Sequence, residues 1–266
     1  MKLLEVKNLS VSLGGKSIVE GISFDLEPGR WTMLIGPNGA GKSTLLRAVS
    51  QEIPSSGEIL LDGRSVRSYR PAALARKMGM LSQHHGVSYS FTVGELVRLG
   101  RYAYAPGIFS RRGEEDEASV HRAMELTGIR ELEHQSLLTL SGGELQRAFL
   151  AQVFAQNPQI LLLDEPSNHL DLIYQKQIFE LIGAWLQSSG GAVLSVVHDL
   201  SLARCYGSHA LLLDQGKAMA CGEISRVFRP EVLDPAYRME VAPWMRRLYG
   251  QWEAGGTDGC SRPENL

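Results

Sequence analysis

The chain has 266 residues, 44% hydrophobic and 21% charged, with a formal net charge of −2. These values fit an ordinary globular protein with a buried core, built as one large α/β domain or two small ones, and they speak against a nucleic-acid surface, which is normally basic. Cys205, Cys221 and Cys260 form no C-x-x-C pair, which argues against a disulfide framework or a zinc site and fits a reducing compartment. The segment Met1 to Lys7 has no apolar stretch of the signal-peptide kind, and no run of about 18 apolar residues occurs. A role at a membrane would therefore call for docking on another chain.

Residues 1–30 alternate apolar and polar positions, with Gly14-Gly15 and Pro28-Gly29 as turns, and predict short, mostly antiparallel strands. The apolar strand Trp31-Thr32-Met33-Leu34-Ile35 then runs into Gly36-Pro37-Asn38-Gly39-Ala40-Gly41-Lys42-Ser43-Thr44, which opens an apolar helix. This loop fits G-x-x-x-x-G-K-[ST] in full and in the required strand-to-helix context. Glycines let backbone N–H groups turn inward around phosphate oxygens, and the helix N-terminus adds partial positive charge at the same point. Lys42 can reach the β- and γ-phosphates of a nucleoside triphosphate, and the Ser43 hydroxyl can ligate Mg²⁺. The alternative, a ligand-free glycine turn, leaves that residue set unexplained.

Gly57 to Gly63 reads as another short strand between turns. From about Gly86 to Pro158 the pattern is helical. Thr92 and Glu95 have capping-box spacing ahead of Leu96, Val97 and Leu99. The polar stretch Ser110 to Glu117 leads into a helix through Val120, Met124 and Ile129, and Ser141, with Glu144 three residues on, precedes a helix through Leu145, Phe149, Leu150, Val153 and Phe154.

After Pro158 the strands return as continuous apolar runs, Ile160 to Leu163 and Val193 to Val197. Such runs suit a parallel sheet buried on both faces, where ligands sit at the carboxyl ends of strands. The phosphate loop, the pair Asp164-Glu165 and His198 each follow a strand directly, so one composite site is expected. An acidic pair at a strand end is by itself more often solvated or a helix cap, and a lone histidine more often structural. Beside a complete phosphate loop, Asp164 suits a Mg²⁺ position and Glu165 a base or water-orienting position. A neutral His198 could donate to the γ-phosphate or the attacking water. Ser141-Gly142-Gly143-Glu144 reads as an N-cap and capping box. Two glycines in the first turn weaken a helix, and close approach of another molecule's phosphates would explain them. The tail from about Gly255 to Leu266 is expected to be frayed.

Gly36 to Thr44, Gln83, Leu140 to Arg147, Ile160 to Glu165, Ser167 to Asp171 and His198, in this order, resemble the ATP-binding cassette family. The resemblance spans about residues 3–240. It implies one α/β nucleotide-binding domain over residues 1–254, with residues 255–266 as a flexible tail. Its phosphate-loop core sheet would be flanked by helices, with an N-terminal antiparallel β part and a helical lobe, about residues 86–158, inserted in the core lobe. It also implies ATP and Mg²⁺ as cofactors, with Glu165, His198 and Gln83 catalytic and Ser43, Gln83 and Asp164 at the metal. Ser141, Gly142, Gly143 and Asp171 would face an ATP held mainly by a second copy of the chain, in a head-to-tail dimer. Leu13 stands where the family usually has an aromatic residue that stacks on adenine.

Gln83-His84-His85, Phe91-Thr92-Val93 and Val97 to Tyr102 resemble the ATPases of importers for ferric siderophores, heme and vitamin B12, with Gly100-Arg101-Tyr102 leaning towards the siderophore members. That resemblance implies two membrane-spanning permease subunits, an indirect substrate-binding protein, no nucleic acid, and a peripheral place on the cytoplasmic face of the membrane. A GTPase or kinase is disfavoured by Leu140 to Arg147 and by the lack of an N-K-x-D guanine motif. A soluble cassette acting on ribosomes or DNA would usually bring a second cassette or a long coiled-coil insertion.

Overall fold

A computed structural model of the chain describes residues 2–83, 91–104 and 113–253. The expected start of the helical lobe at Gly86, the pair His84-His85 and the tail from Gly255 lie outside these residues. β1 (Leu4–Leu13) and β2 (Lys16–Leu26) form an antiparallel hairpin turned at Gly14 and Gly15. They are longer than the turn-punctuated alternation suggests, because register shifts between Val6 and Ser12 absorb the breaks in pattern. β3 (Trp31–Ile35), α1 (Lys42–Val49), β4 (Ser56–Leu61), β5 (Arg64–Ser65), α2 (Pro71–Ala75) and β6 (Met78–Leu81) follow. Then come α3 (Val93–Leu99), α4 (Glu114–Leu126) and α5 (Gly142–Ala155). The chain continues through β7 (Ile160–Asp164), α6 (Leu172–Ser189), β8 (Ala192–Val196), α7 (Leu200–Tyr206), β9 (His209–Asp214) and β10 (Lys217–Glu223). It closes with α8 (Ile224–Val227), α9 (Pro230–Tyr237) and α10 (Val241–Glu253).

The strands make two sheets. One is antiparallel, in the order β2-β1-β4-β5. The other has the order β10-β9-β3-β8-β7-β6, parallel except for β10 at one edge. In the parallel strands the apolar runs split by parity. Met33, Leu161, Leu163, Val193 and Leu212 face one core with α3 to α6, while Leu34, Leu162, Leu194, Leu211 and Leu213 face the other with α1 and the antiparallel sheet. Both faces are dry, which is why these strands read as unbroken apolar runs.

Two sequence expectations are corrected at α4. The helix starts at Glu114, so Glu114 to Glu117 form its first turn rather than an approach to it, and their charge complements the helix dipole. Ile129 is buried but lies past the helix end, after Gly128 at positive φ reverses the chain. The capping boxes at Thr92 and Ser141 are present as expected. Among the described residues no helix is long and apolar enough to cross a membrane.

Under β3, Trp31 stacks on Phe179 with ring centroids 5.5 Å apart, and its indole Nε1–H donates to Ser195 Oγ at 2.7 Å. Ser195 is fully buried. Ser195→Ala would leave that donor unpaired and should cost about 1–3 kcal/mol. Urea unfolding should show a lower midpoint with an unchanged slope, and an unchanged midpoint would show that the indole does not need this partner.

Candidate active site

The loop between β3 and α1 is shaped by the chain packed around it. A Cβ on Gly36 would lie 2.0 Å from the Leu213 carbonyl oxygen, and one on Gly41 would lie 2.9 Å from the Ile18 carbonyl oxygen. Neither position has room for a side chain. Ala40 accepts a backbone hydrogen bond from Gly216 at 3.2 Å, while Asn38 and Gly39 stand exposed at the tip. The pKa of the Tyr237 hydroxyl, near the start of this loop, is pushed up to about 12 by burial, partly opposed by a hydrogen bond from the Gly36 backbone. Sequence patterning gives no sign of the contributions of Ile18, Leu213, Gly216 and Tyr237, which come from distant segments.

Lys42 is 5% exposed and points into the loop, donating to the Gly36 and Pro37 carbonyl oxygens at 2.7 and 2.9 Å. Burial lowers its pKa, and the charges of Glu165 and Asp164 work against that shift. Ser43 and Thr44 follow in the first turn of α1. The Ser43 hydroxyl donates to Asp164 Oδ1 at 2.9 Å, across from the end of β7. Asp164 is 4% exposed; burial raises its pKa and the Ser43 hydrogen bond opposes the rise.

Glu165 is the centre of the arrangement. Its backbone sits at φ 52, in the left-handed region that non-glycine residues seldom adopt, and so turns the chain sharply off the strand. Gln83 Nε2 and Asn168 Nδ2 each donate to its Oε2 at 2.7 Å, and His198 Nε2 lies 2.5 Å from its Oε1. Gln83 follows β6 and His198 follows β8, on either side of β7 in the sheet. The structure thus brings Lys42, Ser43, Gln83, Asp164, Glu165 and His198 to one edge, with Ser43 on Asp164, Gln83 and His198 on Glu165, and Lys42 within the field of both acids. Asn168 is not among the candidates that the sequence singles out. Its signal is its place in the Ser167 to Asp171 motif, three residues after Glu165, and its N–H bonds back to the Glu165 carbonyl at 3.1 Å.

Ser141, Gly142, Gly143 and Asp171 form a separate group. The Ser141 N–H and hydroxyl donate to Glu144 Oε2 at 2.8 and 2.7 Å, holding the Glu144 carboxyl below its ordinary pKa. Asp171 caps α6 by accepting from Tyr174 N–H at 3.2 Å. Gly143 has a reason to be glycine within its own chain. It is buried, and a Cβ there would lie 2.5 Å from the Tyr174 ring of its own chain. Gly142 keeps the expected openness, with only Leu170 Cδ2 near, at 3.8 Å. Among the described residues, no hydrogen bond of Ser141 or Asp171 reaches Lys42, Ser43, Asp164 or Glu165. Gln146 of α5 donates to the Pro166 carbonyl at 2.7 Å and ties the two groups together mechanically.

The ABC transporter family profile matches residues 19–168, the stretch holding the loop, Gln83, Ser141 and Glu165. The chain belongs to the ABC transporter family. The ferric enterobactin transport ATP-binding protein FepC of Escherichia coli (strain K12) is 39% identical over 235 residues, 88% of this chain and 86% of that one. The petrobactin import ATP-binding protein YclP of Bacillus subtilis (strain 168) is 35% identical over 90% of this chain and 94% of that one. The hemin import ATP-binding protein HmuV of Pseudomonas aeruginosa is 38% identical over 90% and 94%. An inward-facing metal-chelate type ABC transporter shares the fold, with TM-score 0.78 at 24% identity over 90% of each chain. The cassette is an ATP-binding ATPase with the mixed α/β fold of its family.

Leu13, at the end of β1, is 41% exposed, and β2, which follows it, packs Ile18 against the phosphate loop. Leu13 has neither a π face nor a polar group with which to read a base edge. The cassette should therefore discriminate weakly between ATP and GTP. Leu13→Tyr should tighten ATP binding by up to about tenfold, if half of a stacking contribution of roughly 1–3 kcal/mol is recovered. Competition binding checks this; strong ATP preference in the wild type with no gain from Tyr would mean that another side chain covers adenine.

Proposed function

We propose that this cassette is the ATP-hydrolysing subunit of an importer that takes up a metal chelate, a ferric siderophore first and heme or cobalamin next, through separate membrane subunits. The observation that carries the catalytic part is the Glu165 carboxylate held by Gln83, Asn168 and His198 beside the Ser43–Asp164 pair. The substrate class is supported by relatives named for ferric enterobactin, petrobactin and hemin. The domain is read as residues 1–254, with about 86–158 as an inserted helical lobe.

In this reading the loop Gly36 to Thr44 cradles the triphosphate and Lys42, already at its centre, meets the β- and γ-phosphates. Ser43 Oγ and Asp164 Oδ1 are hard oxygen donors 2.9 Å apart, and Asp164 is buried with its charge disfavoured, so the pair fits Mg²⁺, which would replace the hydrogen bond between them, with Gln83 alongside. Bound Mg²⁺ would neutralise charge developing on the phosphates. Glu165 orients the attacking water and takes its proton, and His198 holds the far carboxylate oxygen. Ser141, Gly142, Gly143 and Asp171 serve the ATP of a second copy, through a two-fold interface.

A permease subunit would dock beside a groove of about 430 Å³ lined by Tyr69, Leu74, Met78 and Met80, close to the strand that leads to Gln83. The cassette would then sit peripherally on the cytoplasmic face of the membrane.

Glu165→Gln should keep ATP binding and slow hydrolysis by about 10²-fold or more, while Lys42→Ala should weaken binding itself. Light scattering of Glu165→Gln with ATP should show a dimer, and near-normal turnover of that variant would remove Glu165 from the mechanism. Uptake of iron chelates, heme and cobalamin by a strain lacking the gene should fail for the true substrate alone.

A further inference from the structure

Helix α5 begins at the exposed Ser141 cap and ends at Ala155, capped by Gln156, in contact with the strand that leads to Gln83. The junction is dense in directed contacts. Gln156 Nε2 donates to the Met78 carbonyl at 3.0 Å and also to the Ala75 carbonyl. Tyr104 Oη donates to the Gln156 carbonyl at 3.0 Å. Arg101 is 6% exposed, donates to the Ala155 carbonyl at 3.0 Å and to Asp116 at 2.8 Å, and lies over the Tyr104 ring at 3.6 Å. Arg76 also lies over this ring, 4.9 Å from its centroid, and donates to the Ala103 carbonyl at 2.8 Å.

Among the described residues β6 is an edge strand, paired with β7 alone. Its first residues are pinned to α5 by Gln156, and a Cβ on Gly79 would lie 2.7 Å from Val153 of α5, so helix and strand are in tight contact. Gln83 stands two residues past the end of β6 and bonds Glu165. Movement of α5 therefore has a stiff path to β6, with two guanidinium groups packed over the Tyr104 ring to resist sliding.

We propose that Gln156, with Tyr104 and Arg76, is a positioning group that fixes strand β6 to the end of helix α5 and so sets where Gln83 meets Glu165. The inference rests on the reading of Gln83 and Glu165 as parts of the catalytic site. It makes the state of the Ser141 end of α5 felt at Gln83 of the same chain through packed, hydrogen-bonded parts.

The test is steady-state MgATP hydrolysis by the purified full-length chain carrying Gln156→Leu, Gln83→Ala, or both. Leucine matches the glutamine in volume and lacks its donors. Gln156→Leu should lower kcat by about fivefold or more and leave KM for ATP within about twofold, as expected when a reacting group is misplaced while the nucleotide still binds normally. Because Gln156 acts through Gln83, the double variant should be no slower than Gln83→Ala alone. Should Gln156→Leu not fold, the exposed Arg76→Gln carries the same test, with about a twofold loss in kcat at constant KM and melting temperature, and Arg76→Lys restoring part of it. Wild-type kcat in these variants beside a slow Gln83→Ala, or losses that multiply in the double variant, would overturn the relay alone. Normal turnover in Gln83→Ala would overturn the reading of Gln83 and the relay with it.

Discussion

Burial of the parallel sheet on both faces leaves its charged groups one place to go, the carboxyl edge of the strands. Lys42, at the edge of β3, and Asp164, at that of β7, are both nearly inaccessible to solvent. Neither is comfortable there: burial disfavours the charged form of each, lowering the lysine pKa and raising that of the aspartate. The edge is tolerable because every such group has a partner. Lys42 rests on two carbonyls, Asp164 takes a hydroxyl hydrogen, and Glu165 is held by two amide groups and an imidazole. The same set of partners is what phosphates, a divalent cation and an attacking water require, so the fold's electrostatic problem and the chemistry share one solution.

The second constraint belongs to the proposed assembly, in which this edge is one part of a site shared between two copies. Ser141 and Gly142 are exposed at the start of α5, and Ser141 is engaged in the capping box with Glu144. In the proposed assembly they meet the phosphates of a second copy. Gln146 and Gln156 then give α5 two attachments to its own catalytic edge, one at the loop after Glu165 and one at the strand leading to Gln83. An event at the interface can reach both ends of the Glu165 network without any large rearrangement of the core.

Much of this is legible in the sequence. The phosphate loop, Asp164-Glu165 and His198 announce themselves because each follows a strand whose apolar run is continuous, and the caps at Thr92 and Ser141 follow from residue spacing alone. What stays hidden depends on contacts between distant segments. The need for glycine at position 143 comes from the ring of Tyr174, and the shape of the loop from Ile18, Leu213 and Gly216. Asn168 lies in the Ser167 to Asp171 motif, but its contact with the carboxylate depends on the left-handed turn at Glu165, which spacing does not show. Ile129 reads as helical because its apolar spacing continues past Gly128, although the chain turns there.

The central claim is that the nucleotide site is completed by a second copy, and interchain cross-linking tests it most directly. Cys205, Cys221 and Cys260 would first be replaced by serine in a Glu165→Gln background. One tagged chain would then carry Asn38→Cys at the exposed loop tip, and a differently tagged chain Ser141→Cys at the helix cap. The account predicts a disulfide between the two tags that forms with MgATP and not without nucleotide. A single chain carrying both cysteines that closes on itself, or mixed chains that never cross-link with ATP, would contradict it.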